Sequence, residues 1–144
     1  MKEIWEEEMK LQCMLEVEIA VCEELTSEGE IPKEAMENIK EKADFDPERI
    51  REIEKTTKHD VIAFLTNVAE YVGEESCYIH LGLTSSDVLD TSLALQLSKT
   101  VSILSEDIKR LKSTLKKRAL EHKNTLITGR THGMQAEPTT LGHK

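Results

Sequence analysis

Three short polar segments combine a histidine with hydrogen-bonding neighbours: Lys58-His59-Asp60, His80 followed by Gly82-Leu83-Thr84-Ser85, and Thr131-His132-Gly133. Imidazole exchanges a proton near neutral pH, so each histidine is a candidate general acid or base. All three segments fall at or near expected helix boundaries. Helix N-termini offer free N–H groups and a positive dipole end, which suit carboxylates and phosphates. The pattern therefore points to a helical, anion-binding protein with acid–base capability. Each segment also fits a plain structural role. His59 beside Asp60 can cap a helix, His80 can be a buried loop histidine bonded to backbone, Thr84 and Ser85 can cap the helix that follows, and His132 can be a turn residue. His122 and His143 have no supporting neighbours and read as surface residues.

Other chemistries find little support. The histidines lack H-x3-H spacing and clustered carboxylates, so no metal site is expected. There is no Walker loop, no G-x-G-x-x-G and no G-x-S-x-G. Cys13, Cys22 and Cys77 are odd in number and form no C-x-x-C pair, which argues against a disulfide framework and makes a reducing cytoplasm the default. Cys13 and Cys22 lie among apolar helix positions and read as core fillers.

The elements that must position these segments are helical. Residues 2–28 carry Trp5, Met9, Leu15, Ile19, Cys22 and Leu25 near helical spacing, with Gly29 just past the end. Ile31-Pro32 restarts a helix, with Pro at its first position, to about Ala43. Asp46-Pro47-Glu48 supplies an N-cap, a Pro and an acidic first turn for a helix over 47–57. Asp60 can cap another over 61–72, ending at Gly73. No stretch alternates like a strand for more than a few residues. Thr84-Ser85-Ser86-Asp87 has capping-box form, and no Gly or Pro interrupts the chain from there to Lys123. Leu97, Val101, Leu104, Ile108, Leu111 and Leu115 follow at alternating spacings of four and three, the seam of a bundle or coiled coil. Such a helix is roughly 58 Å long. The short helices before it cannot cover that length, so the seam predicts further helices or other subunits. The stretch from Gly129 to Thr140 is polar, and Pro138 is positioned to start another helix. A helix start so close to Lys144 is expected in a piece of a longer protein. The chain divides into a helical N-terminal domain, 1–83, and a long bundle helix with a polar active-site loop, 84–144. The fold class is all-α.

Composition narrows the function classes. The formal net charge is −9. The acidic excess lies in the first half, whereas Lys109, Arg110, Lys112, Lys116, Lys117, Arg118 and Lys123 form a basic cluster in the second. Nucleic-acid binding is one reading of that cluster. The acidic whole and the lack of interleaved aromatics favour a solvated helix face instead. An electropositive approach to an anionic small-molecule site is a third reading. No apolar run approaches the ~20 residues of a membrane span, and the acidic start lacks the form of a secretory signal.

Three motifs taken together carry a resemblance: Thr57-Lys58-His59-Asp60-Val61, His80-x-Gly82-Leu83-Thr84-Ser85-x-Asp87, and Gly129-Arg130-Thr131-His132-Gly133-x-x-Ala136-Glu137-Pro138-Thr139-Thr140. In this order and with these separations they resemble the adenylosuccinate lyase family of the fumarase/aspartase superfamily. Ile4-Trp5 and Leu15-Glu16-Val17-Glu18 resemble that family's first helix. The resemblance spans essentially the whole chain. It implies a cytoplasmic homotetramer built on a long helical bundle, with each active site shared by three subunits. It implies elimination of fumarate from adenylosuccinate to give AMP, and from SAICAR to give AICAR, without metal or organic cofactor; the composition, with its acidic whole and no long apolar run, gives no nucleic acid and no membrane as partners. By the same resemblance His132 is the general acid that protonates the leaving nitrogen. His59, catalytic in the family, binds and orients substrate together with Lys58 and Asp60. His80 lies near the phosphate end, while Thr84, Ser85 and Thr131 hold a carboxylate of the succinyl group.

Three departures from the family pattern matter. Position 58 is Lys where the family usually has Arg, which turns a bidentate contact into a point charge. An N-terminal Arg-Tyr pair that contributes to phosphate binding is absent. So is the mobile loop with the catalytic base serine, which in the family lies in later sequence. The expectation is therefore an N-terminal portion that is inactive alone and not monomeric, within an active parent. Another superfamily lyase, a carboxymuconate cycloisomerase and a non-enzymatic helical interaction module are the alternatives.

Overall fold

Asp46 acts as its place before Pro47 predicts. In the computed structural model, which describes residues 1–144, its carboxylate accepts N–H bonds from Glu48 (2.9 Å) and Arg49 (3.4 Å). It thereby opens a helix with Pro47 in the first turn. The chain order is α1 (Glu7–Glu28), α2 (Lys33–Lys42), α3 (Pro47–Thr57), α4 (Asp60–Val72), α5 (Ser85–Glu121), β1 (Leu126–Thr131) and β2 (Met134–Thr140). Short 3-10 turns occupy Lys2–Trp5 and Glu74–Tyr78. The fold is helical, as the periodicity indicates, with one small hairpin added.

Several boundaries differ from expectation for local reasons. The first helix begins at Glu7, because Lys2–Trp5 form a tighter turn and Glu6 is extended. Gly29, at φ +86, ends α1, with Gly29 N–H bonded to Thr26 O and Glu30 N–H to Leu25 O. That is a Schellman motif, in which the left-handed residue satisfies the last carbonyls. Pro32 is the N-cap of α2 and not its first helical residue. His59, not Asp60, caps α4: its Nδ1 accepts the Ile62 N–H at 3.4 Å, and Asp60 is the first helical residue.

The residues form two compact units, Met1–Thr100 and Val101–Lys144, and α5 contributes to both. In the first, Met14, Ile31, Ile39, Val61, Phe64, Val68, Val72 and Val88 are fully buried in one core. Phe45 and Phe64 pack ring to ring at 6.4 Å. Cys13 and Cys22 are buried, as core fillers should be. Val88, Ser92 and Gln96, at helical spacing, are the buried positions of α5. Gln96 donates to the Ile4 carbonyl at 2.6 Å, which ties down the N-terminal turn.

The second unit departs most from expectation. Residues 126–140 form an antiparallel hairpin, and Pro138 sits in β2 opposite Thr128 instead of starting a helix. Two features explain this. His132 (φ +49) and Gly133 (φ +76) both adopt positive φ, as the tight turn of a two-residue hairpin requires. A bulge follows Thr128, where Gly129 lies so close to β2 that a Cβ would stand 2.5 Å from the Glu137 carbonyl oxygen. The seam side chains of α5 are exposed, among them Val101 (58%), Ile108 (62%) and Leu115 (59%).

Candidate active site

His80 is the most constrained of the predicted site residues. Its backbone is left-handed, at φ +66, which is rare for a residue with a side chain. Its N–H donates to Glu18 Oε2 at 2.9 Å, and its Nδ1 lies 2.7 Å from Glu18 Oε1. Glu18, on α1, is 1% exposed. Burial pushes its carboxyl above the ordinary carboxylate range, and the bonds and charge of His80 oppose that rise. One turn further along α1, the Cys22 thiol donates to the Tyr78 carbonyl at 3.6 Å. Burial and then the Glu18 charge push that thiol up to about 11. The segment Tyr78–His80 is thus held to α1 at two points.

The loop after His80 leads into the N-terminus of α5, and Leu83 N–H bonds back to the His80 carbonyl at 3.3 Å. Half of the capping box forms. Asp87 Oδ2 accepts the Thr84 N–H at 2.8 Å and its hydroxyl at 2.9 Å. These two bonds, backbone first, hold the Asp87 carboxyl below its usual range, and the nearby His80 adds to the effect. The Thr84 hydroxyl hydrogen is therefore committed to Asp87. Ser85, half-buried, begins the helix, where first-turn N–H groups have no helical acceptor. His80, Thr84 and Ser85 come together around one helix N-terminus, an arrangement suited to an anion.

Lys58, His59 and Asp60 are exposed at the junction of α3 and α4. Lys58 ends α3 in the left-handed conformation, at φ +54. His59 accepts at Nδ1, so its neutral ring carries the proton on Nε2 and offers it as a donor. Asp60 Oδ1 accepts the Val61 N–H at 2.8 Å. No hydrogen bond or ion pair joins this cluster to His80, Thr84 or Ser85. Thr131 and His132 belong to the second unit. Thr131 ends β1 opposite Met134, and His132 is exposed at the tip of the hairpin turn.

The residue missed from sequence is Glu18. Among so many glutamates on α1 it looks like another solvated charge. The available signal was its helical register: it lies four residues from Cys22 and from Met14, both core positions.

The chain matches the family model described as Lyase over residues 1–144. It is 54% identical over its whole length to the adenylosuccinate lyase of a Synechocystis species and 49% identical to that of Bacillus subtilis. It spans about a third of the length of each, 33% in both cases. Among solved structures, a fumarate lyase from a Mesorhizobium species aligns with a TM-score of 0.89 and 27% identity, over 99% of this chain and 34% of that one. A 3-carboxy-cis,cis-muconate lactonizing enzyme from Pseudomonas putida aligns with a TM-score of 0.90 and 32% identity, over 98% of this chain and 34% of that one.

Proposed function

The chain belongs to the lyase family, and from that premise we propose that its residues serve an adenylosuccinate lyase, which eliminates fumarate from adenylosuccinate and from SAICAR. The observation that carries this reading is the identity of about half with proteins of that name along the entire chain. The likeness to the lactonizing enzyme is weaker in sequence, at 32%. It keeps carboxymuconate cycloisomerisation as the second reading.

The chemistry fits the side chains. Removing a proton next to a carboxylate builds negative charge on that carboxylate. Ser85 and the N–H groups at the start of α5 suit its stabilisation. Thr84 joins them once its hydroxyl turns from Asp87. His132 protonates the leaving nitrogen; its exposure at a hairpin tip supports a role toward a group outside the second unit. His59 offers Nε2–H to orient substrate, flanked by the Lys58 charge and Asp60. His80 lies toward the phosphate. No metal or organic cofactor takes part.

The base is not among these groups, so the 144 residues alone do not turn over. The site is completed by further chain and by other subunits of a cytoplasmic homotetramer. The exposed seam from Leu97 to Leu115 supports that assembly: a row of leucine-type side chains at alternating spacings of four and three is the surface a bundle buries.

The test is a hybrid enzyme, with these residues replacing the matched third of the Bacillus subtilis protein. His132→Gln in the hybrid should lower kcat by roughly 10²–10⁴-fold without loss of assembly, the range for losing a general acid. A His132→Gln hybrid that turns over like its parent overturns the role.

A further inference from the structure

Glu18 is a buried carboxylate that no catalytic role above employs, and it binds one residue at two points. Its Oε2 accepts the His80 backbone N–H, and its Oε1 stands 2.7 Å from Nδ1 of the same residue. A backbone N–H can only donate, so Oε2 is an acceptor. The shorter contact at Oε1 lies at the charge-assisted end of the range. A carboxylate facing an imidazole nitrogen fixes which nitrogen carries the proton.

We infer that Glu18 is the positioning residue of His80, holding its left-handed backbone and its ring together and fixing the proton on Nδ1, so that Nε2 is the nitrogen that meets the substrate. Its bearing on catalysis rests on the reading that His80 belongs to a lyase site. The two site histidines then present opposite edges. His59 accepts at Nδ1 and offers Nε2–H as a donor. His80 donates at Nδ1 and offers Nε2 as an acceptor in its neutral form, or as a charged donor once protonated. Four features converge on this arrangement: the left-handed φ, the double contact, the near-complete burial of Glu18, and the second tether of the same segment by Cys22. A helix-face glutamate needs none of them.

The tautomer is directly measurable on this chain. Long-range 1H–15N spectra of 15N-histidine-labelled protein, taken above the imidazole titration and assigned with His80→Asn, separate protonated from unprotonated ring nitrogens. The expected result is a protonated Nδ1 and a bare Nε2 for His80, with His59 reversed. Glu18→Met removes both acceptors and should return His80 to a mixture dominated by the Nε2–H form. A bare Nδ1 on His80 in the unsubstituted chain overturns the inference, and that measurement needs no variant to fold. In the hybrid enzyme, Glu18→Met should lower kcat/KM by roughly 10–100-fold, the range for losing a group that orients a histidine. In a His80→Gln background the same change should cost under about 2-fold, because Glu18 acts through His80. Full additivity of the two losses overturns the inference. A hybrid without any turnover counts against the lyase reading, while the tautomer still decides the role of Glu18.

Discussion

His80→Ala is the substitution for which the structure gives the sharpest energetic expectation. It removes the imidazole from Glu18 and leaves a carboxylate at 1% exposure with one donor, the backbone N–H of position 80. Leaving a buried carboxylate short of one hydrogen-bond partner costs about 1–3 kcal/mol or more. The surviving backbone bond keeps this case within that range, at about 2–3 kcal/mol at pH 7. The pH dependence carries a definite sign. The folded-state pKa of Glu18 lies above its unfolded value, with burial as the leading cause. Stability linked to such a group is fully present below the unfolded pKa and is lost as pH rises through the folded one. The imidazole opposes the rise, so its removal lifts the folded pKa further. The deficit should therefore be largest at neutral pH and shrink as the pH falls toward the ordinary carboxylate range. Urea denaturation followed by far-UV circular dichroism at pH 7 and pH 5 measures both quantities. His59→Ala, at an exposed cap, is the control and should cost about 1 kcal/mol. A His80→Ala deficit below about 1 kcal/mol at pH 7, or one equal at both pH values, would show that the imidazole does not stabilise the buried Glu18 carboxylate.

Three further outcomes follow from other parts of the molecule. Gly129→Ala sets a methyl 2.5 Å from the Glu137 carbonyl; it should abolish the cross-strand NOEs between Arg130 and Gln135 while leaving the helical circular dichroism unchanged. Leu104→Lys with Leu111→Lys replaces two exposed seam residues. At about 1.5 kcal/mol or more per buried leucine, self-association measured by sedimentation velocity should weaken at least roughly a hundredfold. Asp87 is held below its usual pKa by the Thr84 N–H and hydroxyl, so its contribution is present above the ordinary carboxylate range and fades as pH falls through the depressed value. Hydrogen exchange at the Thr84 amide should stay slow down to that range and accelerate below it, and in Asp87→Ala, which has no acceptor, it should be fast throughout.

The helices were legible because their signals are local. Asp46-Pro47, Gly29 and Gly73 mark ends by backbone chemistry that needs no partner, and the seam after Leu97 declares its unburied face by spacing alone. The cap of α4 was one residue off, because an imidazole can accept an N–H bond as a carboxylate does, and Asp60 beside it is the more familiar cap. The hairpin escaped notice for a different reason. Its strands are short and polar, and Pro138 is a strong helix-start signal read without its partner. Only the His132-Gly133 pair, two residues able to take positive φ, hinted at the turn. The candidate histidines stand out in the sequence by type and neighbours. Glu18 did not, because its role depends on a contact across 62 positions of chain, which composition and spacing do not carry.

We propose that these residues supply acid and anion-binding groups to an adenylosuccinate lyase. Fumarate release from adenylosuccinate by the hybrid enzyme, set beside the 144-residue chain alone, tests it most directly. Turnover is expected from the hybrid and none from the chain. A hybrid that assembles as a tetramer yet releases no fumarate would contradict it, as would turnover by the chain alone.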